Sequence, residues 1–114
     1  SGAASLARSG RSVEAWREAV AQHLGGGGVF RSAAVGRDVL LDVLDGAAAP
    51  APLRLGAALA LAQSDEGARA RVRIAAEASA DATLREALEA ALEGRLDEAM
   101  VARVERAAGG GGAH

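Results

Sequence analysis

The hydrophobic pattern of this chain is strongest at residues 52–63, PLRLGAALALAQ, where apolar side chains surround the whole circumference of a helix. At about 100° per residue, Leu55 and Leu59 fall on one side, and Leu53 and Ala60 fall on another. A helix that is apolar all round lies in a protein interior or in a membrane, and a membrane span needs about 20 residues. The pattern therefore predicts a central helix, with the other helices packed around it.

Two helices are predicted before this central one. Ser12 is a suitable N-cap for a helix over residues 13–24, and Gly25 to Gly28 would end it. A second helix is predicted over residues 37–44, ended by Gly46, and between the two we expect Phe30 and Val35 to cover one end of the bundle. The inward positions are Val13, Trp16, Val20 and Leu24 in the first helix, and Val39, Leu40, Val43 and Leu44 in the second.

Three helices are predicted after the central one, with Ser64, Asp81 and Asp97 as their N-caps. The helix over residues 66–79 has two apolar faces, which is typical of a middle element in a stacked array. The helix over residues 83–94 has one apolar face and a charged back, so we expect it to be peripheral. The two faces of the first are Ala68, Val72, Ala75 and Ala76, and Ala70, Ile74 and Ala78; the last helix turns Met100, Val101, Val104 and Ala107 inward.

The composition supports a single all-α domain. Half of the residues are hydrophobic, but only Trp16 and Phe30 are aromatic, so small side chains must let helices approach closely. Alanine is the best helix former, and no segment alternates as a strand does. We expect five to six short helices over residues 12–108, with 1–11 as a linker or disordered terminus and 109–114 as a flexible tail.

A weak internal repeat is visible in RLGAALALA (54–62), RVRIAAEAS (71–79) and LREALEAAL (84–92). Residues 38–107 resemble a short, degenerate HEAT-repeat array. The resemblance is carried by these three segments, by Pro52 at a helix start, and by Asp65 and Asp81 in turns with Arg71 entering a helix. The resemblance implies stacked antiparallel helix pairs that bind other proteins through an exposed face. The repeat lengths are irregular, so a HEAT-like array and an irregular helical bundle are both open.

The choice of basic residues indicates the composition of the source genome and does not indicate a chemical function. All 13 basic residues are arginine and lysine is absent, which is typical of a high-GC bacterial genome. The sequence contains no cysteine and no segment with the pattern of a signal peptide or a membrane span. We therefore expect a cytoplasmic module of a larger bacterial protein, without membrane insertion.

The sequence lacks the parts of a catalytic, metal or cofactor site. His23 has only His114 as a second histidine, and no cysteine could join it as a ligand. The glycine run at 25–28 follows a helix and no lysine exists for a phosphate loop, which argues against a nucleotide site. We predict no catalytic residue, no metal, no cofactor and no enzyme activity.

Nucleic acid is also a poor match as a partner on electrostatic grounds. The formal net charge is −2, and Arg69 and Arg71 are about 200° apart on a helix, so they form no single basic patch. Helical spacing instead predicts ion pairs such as Asp65 with Arg69 and Arg85 with Glu89, which stabilise by about 0.2–0.5 kcal/mol each.

We therefore expect a non-catalytic protein–protein interaction or scaffolding module. The predicted interaction surface is the charged backs of the second and fifth helices: Asp38, Asp42, Arg85, Glu86 and Glu89. One alternative is a structural or homo-oligomerisation domain, with the oligomeric state left open. Another is a small-ligand-binding domain whose pocket is lined by the bulkiest groups, Trp16, His23 and Phe30.

Overall fold

Six helices form the part of the chain that the structure describes. The structure is a computed structural model, and it describes residues 12–25, 37–46 and 49–112. The helices are α1 (Val13–Gly25), α2 (Arg37–Asp45), α3 (Ala51–Ala62), α4 (Glu66–Ala78), α5 (Ala82–Glu93) and α6 (Glu98–Gly112). Those ranges contain no strand, and the predicted all-α fold is confirmed.

The helix starts are set by short polar side chains. Carboxylate oxygens of Asp65, Asp81 and Asp97 each accept a hydrogen bond of 2.9 Å from a first-turn backbone N–H group of α4, α5 and α6. Ser12 Oγ accepts one of 3.2 Å at the start of α1. These bonds satisfy amides that have no partner within the helix. The prediction of Ser64 as the α4 N-cap is wrong, because the neighbouring aspartate forms that cap.

The central position of α3 is confirmed. All eight residues from 55 to 62 are buried, and α3 packs closely against each of the other five helices. Most of these residues are glycine or alanine, so neighbouring backbones can approach from several sides at once. The helix starts one residue earlier than predicted, after Pro50, and Pro52 therefore occupies the second helical position.

The two helices before α3 each bury one apolar face. In α1 Val13, Trp16 and Val20 are buried, as predicted; the side chain of Leu24, also predicted to turn inward, lies outside the described part of the structure. In α2 the buried face is formed by Leu40 and Leu44, with Leu41 and Val43 partly buried at its edges. The prediction that Val39 turns inward is wrong, because this residue projects about 100° away from Leu40 and is 43% exposed. Phe30 and Val35 lie outside the described residues.

The helices after α3 differ from the prediction in which of their faces are buried. The inner face of α4 is buried as predicted, but its second apolar face has Ile74 58% exposed. The helix expected to be peripheral, α5, packs against α3, α4 and α6, because Ala87 and Ala90 are buried and widen its apolar face. In α6, Val101 and Val104 are buried, but Ala107 is exposed, contrary to the prediction. This helix also extends through Gly112, beyond the predicted end of the domain at residue 108.

Replacing Leu59 by aspartate should abolish cooperative unfolding. Leu59 is 1% exposed at the centre of α3, and loss of its packing together with burial of a charge should cost at least about 4 kcal/mol, a large fraction of a typical domain's stability. The measurement is thermal unfolding followed by circular dichroism. Ile74→Asp is the matched control, because the same carboxylate at this exposed position should change the melting curve little. A Leu59→Asp variant that melts like the parent would contradict the central position of α3.

Candidate interaction surfaces

The five charged residues predicted as an interaction surface are all exposed, on two separate helices. Asp38 and Asp42 lie on α2 and form what we name the α2 patch. Arg85, Glu86 and Glu89 lie on α5 and form the α5 patch. These two helices are not among the pairs that pack closely, but α4 packs against both of them. The described helix α4 therefore lies beside both of the helices that carry the patches.

The outward side of α4 is apolar along two turns. Ala70 is partly exposed, and Ile74 and Ala78 are exposed. We name these three residues the α4 stripe. Their spacing of four residues places them on one side of the helix. Arg71 and Glu77, both exposed, lie about 60° to either side of Ile74 and give the stripe a charged edge on each side.

An ion pair fixes α4 against α2 beside this stripe. Arg71 Nη2 lies 2.6 Å from Asp45 Oδ2, with both side chains about half exposed. Asp45 continues the acidic series of Asp38 and Asp42 along α2, so one of these three carboxylates is engaged within the domain. A pair this exposed contributes only about 0–1 kcal/mol to stability, and it holds the Arg71 guanidinium against the end of α2.

Arginine side chains also close the C-terminal ends of helices. Arg54 Nε donates to the carbonyl oxygen of Leu44 at 3.0 Å, at the end of α2. Arg85 Nη2 donates to the carbonyl oxygen of Ser79 at 2.9 Å, just after α4. In both cases a guanidinium from the following helix satisfies a carbonyl that lacks a helical partner. Arg85, predicted as part of the interaction surface, thus also fastens α5 to the end of α4.

Arg69 joins two helix ends with one guanidinium group. Its Nη1 donates to the carbonyl oxygen of Ala62, and its Nη2 donates to that of Leu92, both at 2.9 Å. These oxygens belong to the last turns of α3 and α5, so the side chain connects α4 to both neighbours. The ion pair of Arg69 with Glu66 is weaker, because Nε lies as far as 4.0 Å from Oε1 and the carboxylate is exposed. The main contacts of Arg69 are therefore with backbone carbonyls. The spacing of charged residues along α4 predicts ion pairs between side chains and does not indicate such contacts.

The pocket predicted around the bulkiest side chains stays a prediction. Trp16 is 0% exposed and forms part of the core. The side chain of His23 and all of Phe30 lie outside the described part of the structure. Among the described residues, two grooves lie away from this region, and Trp16 does not line either of them.

The larger groove has a volume of about 660 Å³ and lies where α2 and α4 end, with Asp45, Arg54 and Asp81 among its polar lining residues. The smaller, of about 420 Å³, lies between the start of α1 and the turn before α6. Over residues 12–25, 37–46 and 49–112, no group of three or more histidine, aspartate or glutamate side chains is arranged to hold a metal ion. No buried side-chain nitrogen or oxygen in that part of the chain lacks a hydrogen-bond partner.

None of the helices described is long and apolar enough to cross a membrane. No protein-family model matches the chain, and neither a curated protein nor a solved structure shows significant similarity to it. The HEAT-like resemblance seen in the sequence accordingly stays a prediction.

Replacing Arg69 by alanine should lower the free energy of unfolding by about 1–3 kcal/mol, because two carbonyls at helix ends lose a charged donor. Arg69→Lys should recover only part of this loss, since an ammonium group lacks the fork that reaches both oxygens. Urea unfolding followed by circular dichroism measures both values. Arg73→Ala, at an exposed position of the same helix, is the matched control and should change the free energy of unfolding by less than about 0.5 kcal/mol. Equal losses of unfolding free energy for Arg69→Ala and Arg73→Ala would contradict the capping role of Arg69.

Proposed function

We propose that this domain is a non-catalytic protein–protein interaction or scaffolding module of a larger bacterial protein. The observation that carries the proposal is the α4 stripe. Ile74 is 58% exposed, between two alanines at helical spacing, on the helix that packs against both α2 and α5. An apolar centre of this kind, with charged residues around it, is the usual anatomy of a protein interface.

The dimensions of the stripe favour a helix as the partner element. Alanines at positions 70 and 78 leave space on either side of Ile74, so a partner backbone could approach closely, as the helices around α3 already do. Large apolar anchors contribute most of the binding energy at an interface, and small neighbours contribute shape. Ile74 would therefore be the anchor, and the partner would offer an apolar helix side to it.

The charges on the two helices that pack against α4 favour a partner with basic residues. The α2 patch supplies two carboxylates, Asp38 and Asp42, and the α5 patch supplies Glu86 and Glu89 beside a single arginine. Charges at the rim of an interface mainly accelerate association and select among partners. A HEAT-like array, as proposed from the sequence, would use an exposed helical face in the same way.

The test is a pull-down from lysate of the source organism, with the whole chain as bait and captured proteins identified by mass spectrometry. Ile74→Asp should reduce capture of the specific partner at least tenfold, which corresponds to about 1.4 kcal/mol. Asp42→Arg and Glu89→Arg should reduce it less and should make the remaining binding less sensitive to salt.

The matched control is Arg103→Glu, which reverses a charge on the exposed side of α6, a helix not closely packed against α4. Every variant should first be shown to melt like the parent. Capture that is equal for the parent, Ile74→Asp and Arg103→Glu would contradict the proposed surface, and a parent that captures nothing beyond an unfolded Leu59→Asp bait would contradict the proposed function.

A further inference from the structure

The larger groove, of about 660 Å³, has the size and the lining of a small-molecule site. Such sites have volumes of about 300–1,000 Å³ and are lined mainly by apolar residues, with a few polar groups that fix the ligand. The apolar residues of this groove are alanines with one proline and one leucine, so they leave room for an apolar group. Its polar lining residues are Asp45, Arg54, Ser79 and Asp81.

Four helix ends meet at the larger groove. Helices α2 and α4 end there, at Asp45 and Ala78, and helices α3 and α5 begin there, at Ala51 and next to Asp81. The start of a helix has a partial positive charge and its end a partial negative charge, so two ends of each sign largely offset one another. The charged side chains therefore decide which ligands the groove attracts.

The two aspartates of the groove are already engaged within the domain. Asp45 Oδ2 lies 2.6 Å from Nη2 of Arg71, and Asp81 Oδ1 caps α5 through a hydrogen bond of 2.9 Å. Arg85 donates to a backbone carbonyl of the groove lining. With Arg54, three arginines and two aspartates are thus grouped in and around the groove, and the local formal charge is positive.

Arg54 is the lining residue with unused hydrogen-bond donors. Its Nε donates to the carbonyl oxygen of Leu44 at 3.0 Å, which holds the side chain at the end of α2. Within the described part of the chain, its Nη1 and Nη2 have no hydrogen-bond partner, and no carboxylate forms an ion pair with them. The residue is partly buried, but neither nitrogen is sealed from solvent. A partly desolvated cation of this kind favours a negatively charged ligand.

We propose that the larger groove binds a small carboxylate, whose two oxygens accept hydrogen bonds from Nη1 and Nη2 of Arg54. The two nitrogens present parallel N–H groups that match the spacing of carboxylate oxygens, so the pair is bidentate. The apolar part of the ligand lies against the alanines and Leu84 of the groove. The groove shares only Ala78 with the α4 stripe, so the inference does not depend on the proposed function.

The test is a titration of ¹⁵N-labelled protein with benzoate, followed through the NMR chemical shifts of the backbone amides. Benzoate joins a carboxylate to a compact apolar ring, and the ring shifts the amides near it. Saturable shifts should be largest at residues 49–54 and 78–81, which include most of the groove lining. Benzamide has the same ring without the charge and should bind at least tenfold more weakly, because a charged hydrogen-bonded pair is lost.

Arg54→Gln removes the guanidinium and should weaken benzoate binding at least tenfold. Arg54→Lys should recover only part of the affinity, because an ammonium group has the charge without the fork. The matched control is Arg95→Gln, which makes the same change in net charge at an exposed position outside the groove and should leave the dissociation constant of benzoate unchanged.

The amide spectrum of each variant shows whether it is folded, and the comparison of benzoate with benzamide on the parent decides the question if Arg54→Gln does not fold. Equal binding of benzoate by the parent and a folded Arg54→Gln, or equal binding of benzoate and benzamide by the parent, would overturn the proposal. So would the absence of saturable shifts around the groove up to about 50 mM benzoate, far above a millimolar dissociation constant.

Discussion

The fold depends on close packing around α3, because this helix has no polar face to leave in solvent. Eight consecutive buried residues of α3 are in contact with helices on all sides. Since most are glycine or alanine, the contact distance is set by backbones more than by large knobs, and five short helices can surround a single one. Each neighbour then needs only one apolar face, which is what α1, α2 and α6 have.

Packing of this kind creates a second requirement, which arginine meets. Short helices end often, and every end leaves carbonyl oxygens without partners. Among the glycines of the described chain only Gly94 has a positive φ, of 73°, as the left-handed cap of α5; other ends receive Arg54, Arg69 and Arg85 from neighbouring helices. At Arg69 the guanidinium has a particular physical role, because one group reaches the ends of two helices.

The sequence predicted those features that depend on local spacing. The buried course of α3 and the caps at Asp81 and Asp97 follow from residues near one another in the chain. The outward position of Val39 and the three-sided packing of α5 depend on where other helices lie, so periodicity could not decide them. The contact of Arg69 with Leu92 joins residues 23 apart, and nothing in a helical repeat indicates it.

The candidate surface was predictable to a similar extent. Charge spacing placed Asp42 and Glu89 on outward faces, and both are exposed. The apolar pattern of α4 revealed two faces but could not tell which one has a neighbour, because the spacing of apolar residues along one helix contains no information about the helices beside it. Burial in the structure made that distinction, and it identified Ile74 as an exposed apolar residue on the outward face of α4.

The most direct test of this account is hydrogen exchange of the backbone amides, resolved residue by residue. If α3 is the helix on which the others depend, its amides between residues 55 and 62 should exchange only through global unfolding and should be the slowest in the chain. Amides of α1, which packs closely against α3 alone, should exchange sooner through local release. Amides of α3 that exchange as fast as those of α1 would contradict the central position of α3.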